Sequence, residues 1–289
     1  MEIIIGKTAG FCYGVKRAIE GSSSQIDNKK GKDIFCLGEL VHNRQVIENL
    51  TKKGIKFVNE ISEVKNTGSK LIIRAHGIEK EKYEEAEDKK IELIDYTCPN
   101  VLQIHKIAEE YSKKGYFIFL CGSEKHPENI GTISYCGKNF CVIEELEETI
   151  KAVEKFKRSD IGKLLLLSQT TYSLEKFHKI KEKIQENLKE GTKFVIKNTI
   201  CKATELRQKE TAELSKRVEY MIIIGGKNSS NTKKLYDIAK TNCENCICIE
   251  TSDQINIDEV KKYNKIGIMA GASTPQESIE EVLEKIENV

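Results

Sequence analysis

The sequence predicts an α/β fold of three related lobes, each built on a short parallel sheet. Two observations predict it. Short apolar runs alternate with longer Lys/Glu-rich amphipathic segments along all 289 residues, which is the order typical of parallel α/β sheets. Residues in the middle of the chain also recur at a constant offset of 103 positions, as expected for repeated structural units. The length suits two or three lobes of roughly 100 residues each.

The elements follow one another in a regular order. The N-terminal run MEIIIGKTAG predicts a strand that opens the fold. Six later runs are almost wholly apolar, as strands covered on both faces are: IFCLG, IIRAHG, FIFLCG, KLLLLSQ, MIIIGG and IGIMAG. The runs IKFVNE, FCVIEE and CICIET predict one further strand in each lobe. The spacing predicts helices in VLQIHKIAEEYSKK and STPQESIEEVLEKIENV, the latter with Pro275 in its first turn.

The internal repeat defines the lobes. Four residues recur 103 positions later: Cys98, Gly122, His126 and Thr170 as Cys201, Gly225, Ser229 and Ser273. In both copies a strand leads into the Cys, a helix follows, and the next strand ends at the Gly. The first third has the same order with shorter connections, from Cys12 through His42 to His76. We therefore predict three lobes about a pseudo-threefold axis: residues 1–97, 98–200 and 201–289.

Composition excludes several classes of protein. The 47 Lys and Arg residues nearly balance the 45 Asp and Glu residues, which argues against a broad nucleic-acid-binding face. No apolar run is long enough to cross a bilayer, and the N-terminus lacks the pattern of a signal peptide. We therefore expect a cytoplasmic protein that binds neither nucleic acid nor membrane. In that compartment the ten cysteines are expected as thiols or metal ligands.

Three cysteines occupy equivalent positions in the repeat. Cys12, Cys98 and Cys201 each lie just before a predicted helix, where the free N–H groups favour thiolate over thiol. Three converging thiolates favour an iron–sulfur cluster with one iron open to substrate. A structural zinc site would normally need a fourth ligand and closely spaced Cys pairs. Three buried thiols are the remaining alternative.

Cys243, Cys246 and Cys248 lie outside this set. Cys246 and Cys248 alternate with isoleucines, which favours packing on a strand over chelation of one metal. Cys243 lies in the polar turn TNCEN, where exposure is expected. A metal site at these three cysteines is the less favoured interpretation.

Hydroxyl, amide and imidazole side chains recur where strands end and helices begin. They are His42, His76, His126, Thr170, Thr171, Ser229, Ser230, Asn231 and Ser273. Such donors at helix N-termini can hold a phosphate without many Arg or Lys residues. N-capping is the favoured explanation for any one of them, but six such sites on one face favour a ligand pocket. Glu128 is the one carboxylate in these motifs. It is either a surface acid or, in a closed pocket with a raised pKa, a proton donor.

Nine motifs in order between residues 10 and 275 resemble the 4-hydroxy-3-methylbut-2-enyl diphosphate reductase family, which ends the methylerythritol phosphate route to isoprenoids. They are GFCYGVKRAIE, HNRQVIENL, RAHG, TCPNV, HPEN, SQTT, ICKATELRQ, NSSNT and GASTP. The resemblance implies a [4Fe–4S] cluster at the centre of the three lobes, with Cys12, Cys98 and Cys201 as ligands. It implies diphosphate binding by His42, His76, His126, Ser229, Asn231 and Ser273, with Ser230 and Thr171 close by. Thr170 would order the substrate hydroxyl and Glu128 would relay protons, so that Glu128, Thr170 and His126 form the implied catalytic set.

The resemblance also implies the reaction. It is the reductive dehydroxylation of (E)-4-hydroxy-3-methylbut-2-enyl diphosphate to isopentenyl and dimethylallyl diphosphate, with two single electrons and protons. No G-x-G-x-x-G motif is present, so the electrons are expected from reduced ferredoxin or flavodoxin. A quinolinate-synthase-like [4Fe–4S] enzyme and a non-enzymatic iron–sulfur redox sensor are the alternatives. The fused C-terminal extension of many clostridial-type relatives is not expected, since the last predicted helix reaches Val289.

Overall fold

A computed structural model describes residues 1–28, 31–64 and 68–288. Its strands are β1 Glu2–Ile5, β2 Ile34–Leu37, β3 Ile55–Val58, β4 Lys70–Ile73, β5 Glu92–Asp95, β6 Phe117–Cys121, β7 Phe140–Ile143, β8 Lys163–Ser168, β9 Lys193–Ile196, β10 Tyr220–Ile224, β11 Cys246–Ile249 and β12 Lys265–Ala270. Its α-helices are α1 Tyr13–Asp27, α2 Arg44–Lys53, α3 Lys80–Asp88, α4 Pro99–Lys113, α5 Pro127–Ile133, α6 Thr149–Lys157, α7 Leu174–Asn187, α8 Lys202–Ser215, α9 Ser230–Asn242, α10 Ile257–Val260 and α11 Gln276–Glu287.

The described strands form three four-stranded sheets, and every strand pair is parallel. The strand orders are β3-β2-β4-β5, β7-β6-β8-β9 and β1-β12-β10-β11. The predicted α/β class with three short parallel sheets is therefore confirmed.

Both faces of the central strands are covered, which explains their continuous apolar runs. In β6, Phe117 and Phe119 pack into one hydrophobic cluster, whereas Ile118 and Leu120 pack into another on the opposite face. Alternate residues of a strand point to opposite faces of the sheet. A strand buried on both sides therefore needs apolar residues at every position.

The chain divides into two compact units. The first unit comprises Met1–Glu20, Val41–Lys53 and Lys202–Val289, and the second comprises Gly21–Leu40 and Gly54–Cys201. The first unit contains the sheet of β10, β11 and β12, and the second unit contains the other two sheets. The three-lobe boundaries given above stay a prediction.

Strand β1 joins the sheet formed by the C-terminal third of the chain. It pairs with β12, from Glu2 opposite Lys265 to Ile5 opposite Ile268. The strands β5 and β9, which lead towards Cys98 and Cys201, are edge strands in the same way. Each of the three candidate cysteines thus follows an edge strand of a parallel sheet.

The helices show two further features. Helix α11 begins at Gln276 with Pro275 as its N-cap, so Pro275 lies just before the first turn rather than in it. The Thr274 N–H donates to the Gly271 carbonyl in the preceding turn, and this turn delays the start of the helix. In the described part of the chain, no helix combines the length and the apolar character that a membrane span requires.

Candidate functional site

The three repeat cysteines have equivalent backbone positions. The N–H groups of Cys98, Cys201 and Cys12 donate to the carbonyls of Ala75, Thr170 and Ala272, at 2.9, 2.9 and 3.1 Å respectively. All three cysteines are half-buried and none forms a disulfide, and helices α1, α4 and α8 begin at the residues that follow them. Each chain segment therefore brings a thiol to the N-terminus of a helix and the carboxyl end of a strand.

Cys201 also accepts a hydrogen bond at its sulfur. The Asn100 amide Nδ2 donates to Cys201 Sγ at 3.1 Å, and Asn100 lies in the first turn of α4, two residues after Cys98. Both cysteines belong to the second unit. The hydrogen bond therefore joins the segment of one candidate ligand to the sulfur of another, and such bonds to sulfur tune an iron–sulfur centre.

Burial raises the pKa of the other seven cysteines. The pKa rises to about 12 at Cys36, Cys136 and Cys246, and it is also raised at Cys121, Cys141, Cys243 and Cys248. The expected exposure of Cys243 is wrong, because this side chain is buried and its Sγ donates to the Asn245 carbonyl at 3.3 Å. Cysteines that remain neutral thiols are poor metal ligands, since the thiolate is the ligating form.

In the second unit, Glu128 and Thr170 form a closely hydrogen-bonded pair. Thr170 N–H donates to Glu128 Oε1, and Thr170 Oγ1 donates to Glu128 Oε2, both at 2.6 Å. Glu128 is only 2% exposed, so it is not a surface acid. Burial raises its pKa to about 7, although the two hydrogen bonds from Thr170 act in the opposite direction. A carboxyl group of this kind can hold a proton near neutral pH and release it.

Two predicted histidines of the second unit, His76 and His126, lie in the loops that follow β4 and β6. His126 caps α5, because its Nδ1 accepts the Glu128 N–H at 3.2 Å. A neutral His126 ring that accepts at Nδ1 carries its proton on Nε2, which makes Nε2 the donor. The ring of His76 lies edge-on to that of His126, with centroids 5.4 Å apart. The structure therefore brings together two of the predicted imidazole side chains.

Hydrogen bonds between side-chain amides, which the sequence does not predict, join the residue after Glu128 to the residue before Thr170. Asn129 Nδ2 donates to Gln169 Oε1 at 3.2 Å, and Gln169 Nε2 donates to Thr171 Oγ1 at 2.9 Å. Gly122 allows this packing, because a Cβ there would lie 2.3 Å from Asn129 Nδ2, and its φ is +152°. Gly122, which the internal repeat matches with Gly225, is the feature of the sequence that could have indicated this close packing.

The first unit holds a second cluster of predicted residues, around His42. Ser273 Oγ donates to the His42 carbonyl at 3.2 Å. A Cβ on Gly226 would lie 2.5 Å from the same oxygen, so only glycine permits this approach. The segment that contains His42 and α2 therefore packs at the strand ends of β10 and β12, although the sequence places it in the first third of the chain.

Asn231 is the most informative residue of this cluster. It is 3% exposed, and neither its Oδ1 nor its Nδ2 has a hydrogen-bond partner among the described residues. Buried amides without partners are rare and costly, so Asn231 is a candidate for binding a polar ligand. Next to it, Ser229 caps α9 by accepting the Thr232 N–H at 3.3 Å. Capping uses a lone pair of Ser229 Oγ and leaves its O–H able to donate.

The register of the sheets corrects one equivalence in the repeat. Cys121 lies opposite Ser168 in one sheet, and Ile224 lies opposite Ala270 in another. The first residues of these pairs are 103 positions apart, but their partners are only 102 apart. Thr171, rather than Thr170, is therefore the counterpart of Ser273, and the predicted match between Thr170 and Ser273 is wrong by one residue.

Sequence reasoning also missed Arg207. It is buried, and its guanidinium donates to the carbonyls of Thr8 and Gly10 at 2.8 and 2.9 Å. Glu210 accepts from the N–H groups of Lys7 and Thr8 at 2.6 and 2.8 Å. These residues fix the loop that leads to Cys12. The chain has few Arg residues, and Arg207 lies inside the motif ICKATELRQ. This position could have indicated a structural role, because only Arg offers a rigid fork of hydrogen-bond donors.

Comparison with known proteins agrees with this picture. Residues 3–287 match the model of the family described as LytB protein. The chain is 43% identical to the 4-hydroxy-3-methylbut-2-enyl diphosphate reductase of Caldanaerobacter subterraneus subsp. tengcongensis, covering 100% of this chain and 98% of that protein. It is 41% identical to the enzyme of the same name from Clostridioides difficile, with 100% of both chains covered.

Two solved structures are similar along their length. One, described as (E)-4-hydroxy-3-methyl-but-2-enyl diphosphate reductase, the terminal enzyme of the non-mevalonate pathway, matches with a TM-score of 0.71 and 36% identity, with 100% of both chains covered. The other, described as the E-1-hydroxy-2-methyl-but-2-enyl-4-diphosphate reductase from Plasmodium falciparum, matches with a TM-score of 0.88 and 29% identity, covering 98% of this chain and 86% of that chain. With a family match over nearly all of its length and relatives above 40% identity, the chain belongs to the LytB protein family.

Proposed function

We propose that this protein is a 4-hydroxy-3-methylbut-2-enyl diphosphate reductase. The substrate takes up two electrons and two protons, its allylic C–O bond breaks, a C–H bond forms, and water leaves with isopentenyl or dimethylallyl diphosphate. The observation that carries the proposal is the buried carboxyl group of Glu128, which has a raised pKa and accepts a hydrogen bond from Thr170. The chain that contains this pair belongs to the LytB protein family. Family membership favours this reaction over the quinolinate-synthase-like enzyme and the redox sensor.

The three repeat cysteines fit the cofactor that the reaction needs. Cys12, Cys98 and Cys201 are half-buried, form no disulfide and lie at helix N-termini, and Asn100 donates a hydrogen bond to the Sγ of Cys201. We assign to these three residues the binding of a [4Fe–4S] cluster. When bound, the cluster supplies single electrons and a Lewis-acidic iron without a protein ligand.

Glu128 and Thr170 would deliver the proton to the leaving hydroxyl. When Glu128 is protonated on Oε2, that O–H donates to Thr170 Oγ1, while Oε1 still accepts the Thr170 N–H. The Thr170 hydroxyl proton is then free to point to a substrate oxygen. The pair can therefore pass a proton from Glu128 through Thr170 without movement of either backbone.

The diphosphate would be bound by neutral donors. Asn231 offers an unpaired amide, Ser229 offers a hydroxyl proton, and His126 offers Nε2–H. His42, His76, Thr171, Ser230 and Ser273 complete the proposed set. Several such hydrogen bonds to a charged group contribute about 1.5–3 kcal/mol each. Helix N-termini add a favourable field for the anion.

The proposal includes an electron donor and a compartment. Reduced ferredoxin or flavodoxin supplies the two electrons one at a time. The protein works in the cytoplasm, where its many free thiols remain reduced.

Anaerobic purification followed by iron and sulfide analysis tests the cofactor, and electron paramagnetic resonance of the reduced protein gives a readout independent of turnover. A dithionite-driven assay on the hydroxy-diphosphate, with mass-spectrometric detection of both isoprenoid diphosphates, tests the reaction. Cluster-loaded protein that releases neither product would overturn the proposal. Quinolinate formation from that enzyme's own substrates would favour the alternative.

A further inference from the structure

A surface groove in the first unit lies between the edge strand β1 and helix α8. Its volume is about 520 Å³, and it is lined by Ile4, Ile5, Gly6, Lys7, Thr8, Leu206, Lys209, Glu210, Glu213, Leu214 and Arg217. Two large apolar side chains are exposed in it, Ile5 at 40% and Leu206 at 49%. Two exposed apolar side chains in one groove mark a candidate contact surface.

Basic residues surround this apolar pair. One stripe of α8 is exposed at helical spacing and carries Lys202, Leu206, Lys209 and Glu213, and Lys216 continues it just beyond the C-terminal end of the helix. Lys7 and Arg217, which also line the groove, are exposed as well. We call the surface formed by Ile5, Lys7, Lys202, Leu206, Lys209, Lys216 and Arg217 the α8 face.

The nearby acidic groups do little to neutralise the α8 face. Glu210 is half-buried and already accepts hydrogen bonds from the N–H groups of Lys7 and Thr8. Of the two acids that line the groove, Glu213 is the exposed one. The five cations of the α8 face outnumber the two carboxylates of the groove, Glu210 and Glu213, so this surface carries an excess of positive charge, although the whole chain carries only +2.

The α8 face also lies on the chain segments that lead to two candidate cluster ligands. Helix α8 begins at Lys202, the residue after Cys201, and Leu206 lies about 6 Å along the helix axis from that start. The loop from Lys7 to Gly10, which leads to Cys12, is held on α8 by Arg207 and Glu210. An electron that arrives at the α8 face would therefore have a short, rigid covalent route towards both cysteines.

We infer that the α8 face is the docking surface for the electron donor, a small acidic carrier protein that delivers one electron at each encounter. The inference rests on the proposed function, since it needs a reaction that consumes two electrons. At each encounter the carrier is oxidised and the enzyme's cluster is reduced, and two encounters serve one substrate. A small apolar centre with a charged rim suits a transient electron-transfer complex, and complementary charge raises its association rate.

The test compares two double variants of the cluster-loaded enzyme. Lys209→Glu/Arg217→Glu reverses the charge of the α8 face. Lys151→Glu/Arg158→Glu is the matched control, because it changes an exposed Lys in α6 and an exposed Arg at the C-terminal end of that helix. The probe is a purified, negatively charged bacterial ferredoxin kept reduced by NADPH and its reductase. Each enzyme is also assayed with dithionite, which needs no docking.

We expect the α8 variant to lose at least about tenfold in ferredoxin-driven kcat/KM at low salt, with dithionite-driven turnover and iron content unchanged. The control variant should match the parent in both assays. Added salt should slow the parent with ferredoxin but should have little effect on the α8 variant. Equal ferredoxin-driven rates in all three proteins would overturn the docking surface while leaving the proposed function intact. Absence of dithionite-driven turnover in the parent would instead count against the proposed function.

Discussion

The two carboxylate oxygens of Glu128 each accept a 2.6 Å hydrogen bond from Thr170, one from its N–H and one from its hydroxyl. The backbone bond fixes the orientation of the carboxyl group, and the hydroxyl bond provides a path for a proton. Burial raises the pKa of Glu128 to about 7 despite both bonds. The pair therefore combines a fixed geometry with a proton affinity suited to acid catalysis near neutral pH.

Glu128→Gln should bind the substrate diphosphate as the parent does but turn over at least about 100-fold more slowly, the usual scale for loss of a general acid. The amide keeps the shape of the side chain but has no acidic proton to give. Calorimetry measures affinity, and steady-state kinetics measure kcat. A kcat close to that of the parent would mean that the proton comes from elsewhere.

The pH dependence follows from the direction of the Glu128 shift. The catalytic form is the protonated one, so kcat/KM should be constant well below pH 7 and should fall about tenfold per pH unit above it. A glutamic acid with the ordinary pKa of 4.5 would be deprotonated at neutral pH and would have no proton to donate. At each pH the reductant is raised until kcat/KM no longer depends on its concentration, which separates the pH profile of the enzyme from that of the reductant. The residual activity of Glu128→Gln should lack this fall, and a parent profile that rises above pH 7 would contradict the assignment.

Asn231→Ala should weaken substrate binding by at least about tenfold, with a smaller effect on kcat. The buried amide has no partner among the described residues. Its removal should therefore change the stability of the free protein little but should weaken the complex with substrate. Asn231→Asp is a sharper variant, because its carboxylate would repel the diphosphate. Asn242→Ala, at the far end of the same helix, is the control. Equal affinities in all of these proteins would argue against a diphosphate ligand at Asn231.

Cys12→Ser, Cys98→Ser and Cys201→Ser should each lose the stable four-iron cluster, since a cluster on three cysteines has no spare protein ligand. Cys141→Ser is the matched control, because Cys141 is also half-buried but its pKa is raised by burial. Iron and sulfide analysis after anaerobic purification provides the measurement. If one of the three variants retains full iron content and turnover, that cysteine is not a ligand.

The sequence predicts the central strands well because both of their faces are buried, so that β6 or β10 is apolar at every position. It does not predict that β1 pairs with β12, since strand order depends on packing between distant segments. The same limit applies to His42, whose place beside Gly226 and Ser273 depends on the fold of the first unit. Burial of Glu128 and the unpaired amide of Asn231 are also tertiary properties, and they favour a ligand site over N-capping only in the structure.

The last prediction concerns Cys246 and Cys248. On β11 these two residues face one hydrophobic cluster, whereas Ile247 and Ile249 face the cluster on the other side of the sheet. The Cα atoms of residues two apart on a strand are separated by roughly 7 Å, and Cys243, Cys246 and Cys248 do not form a three-ligand metal group among the described residues.

Val is close in volume to Cys, so Cys246→Val/Cys248→Val should change the free energy of unfolding by less than about 1.5 kcal/mol and keep both cluster and turnover. Burial raises the pKa of both thiols, so no thiolate ligand is lost. Metal analysis of the double variant beside the parent is the measurement. Loss of about one metal ion per chain with the four-iron cluster intact would reveal a second metal site on this strand.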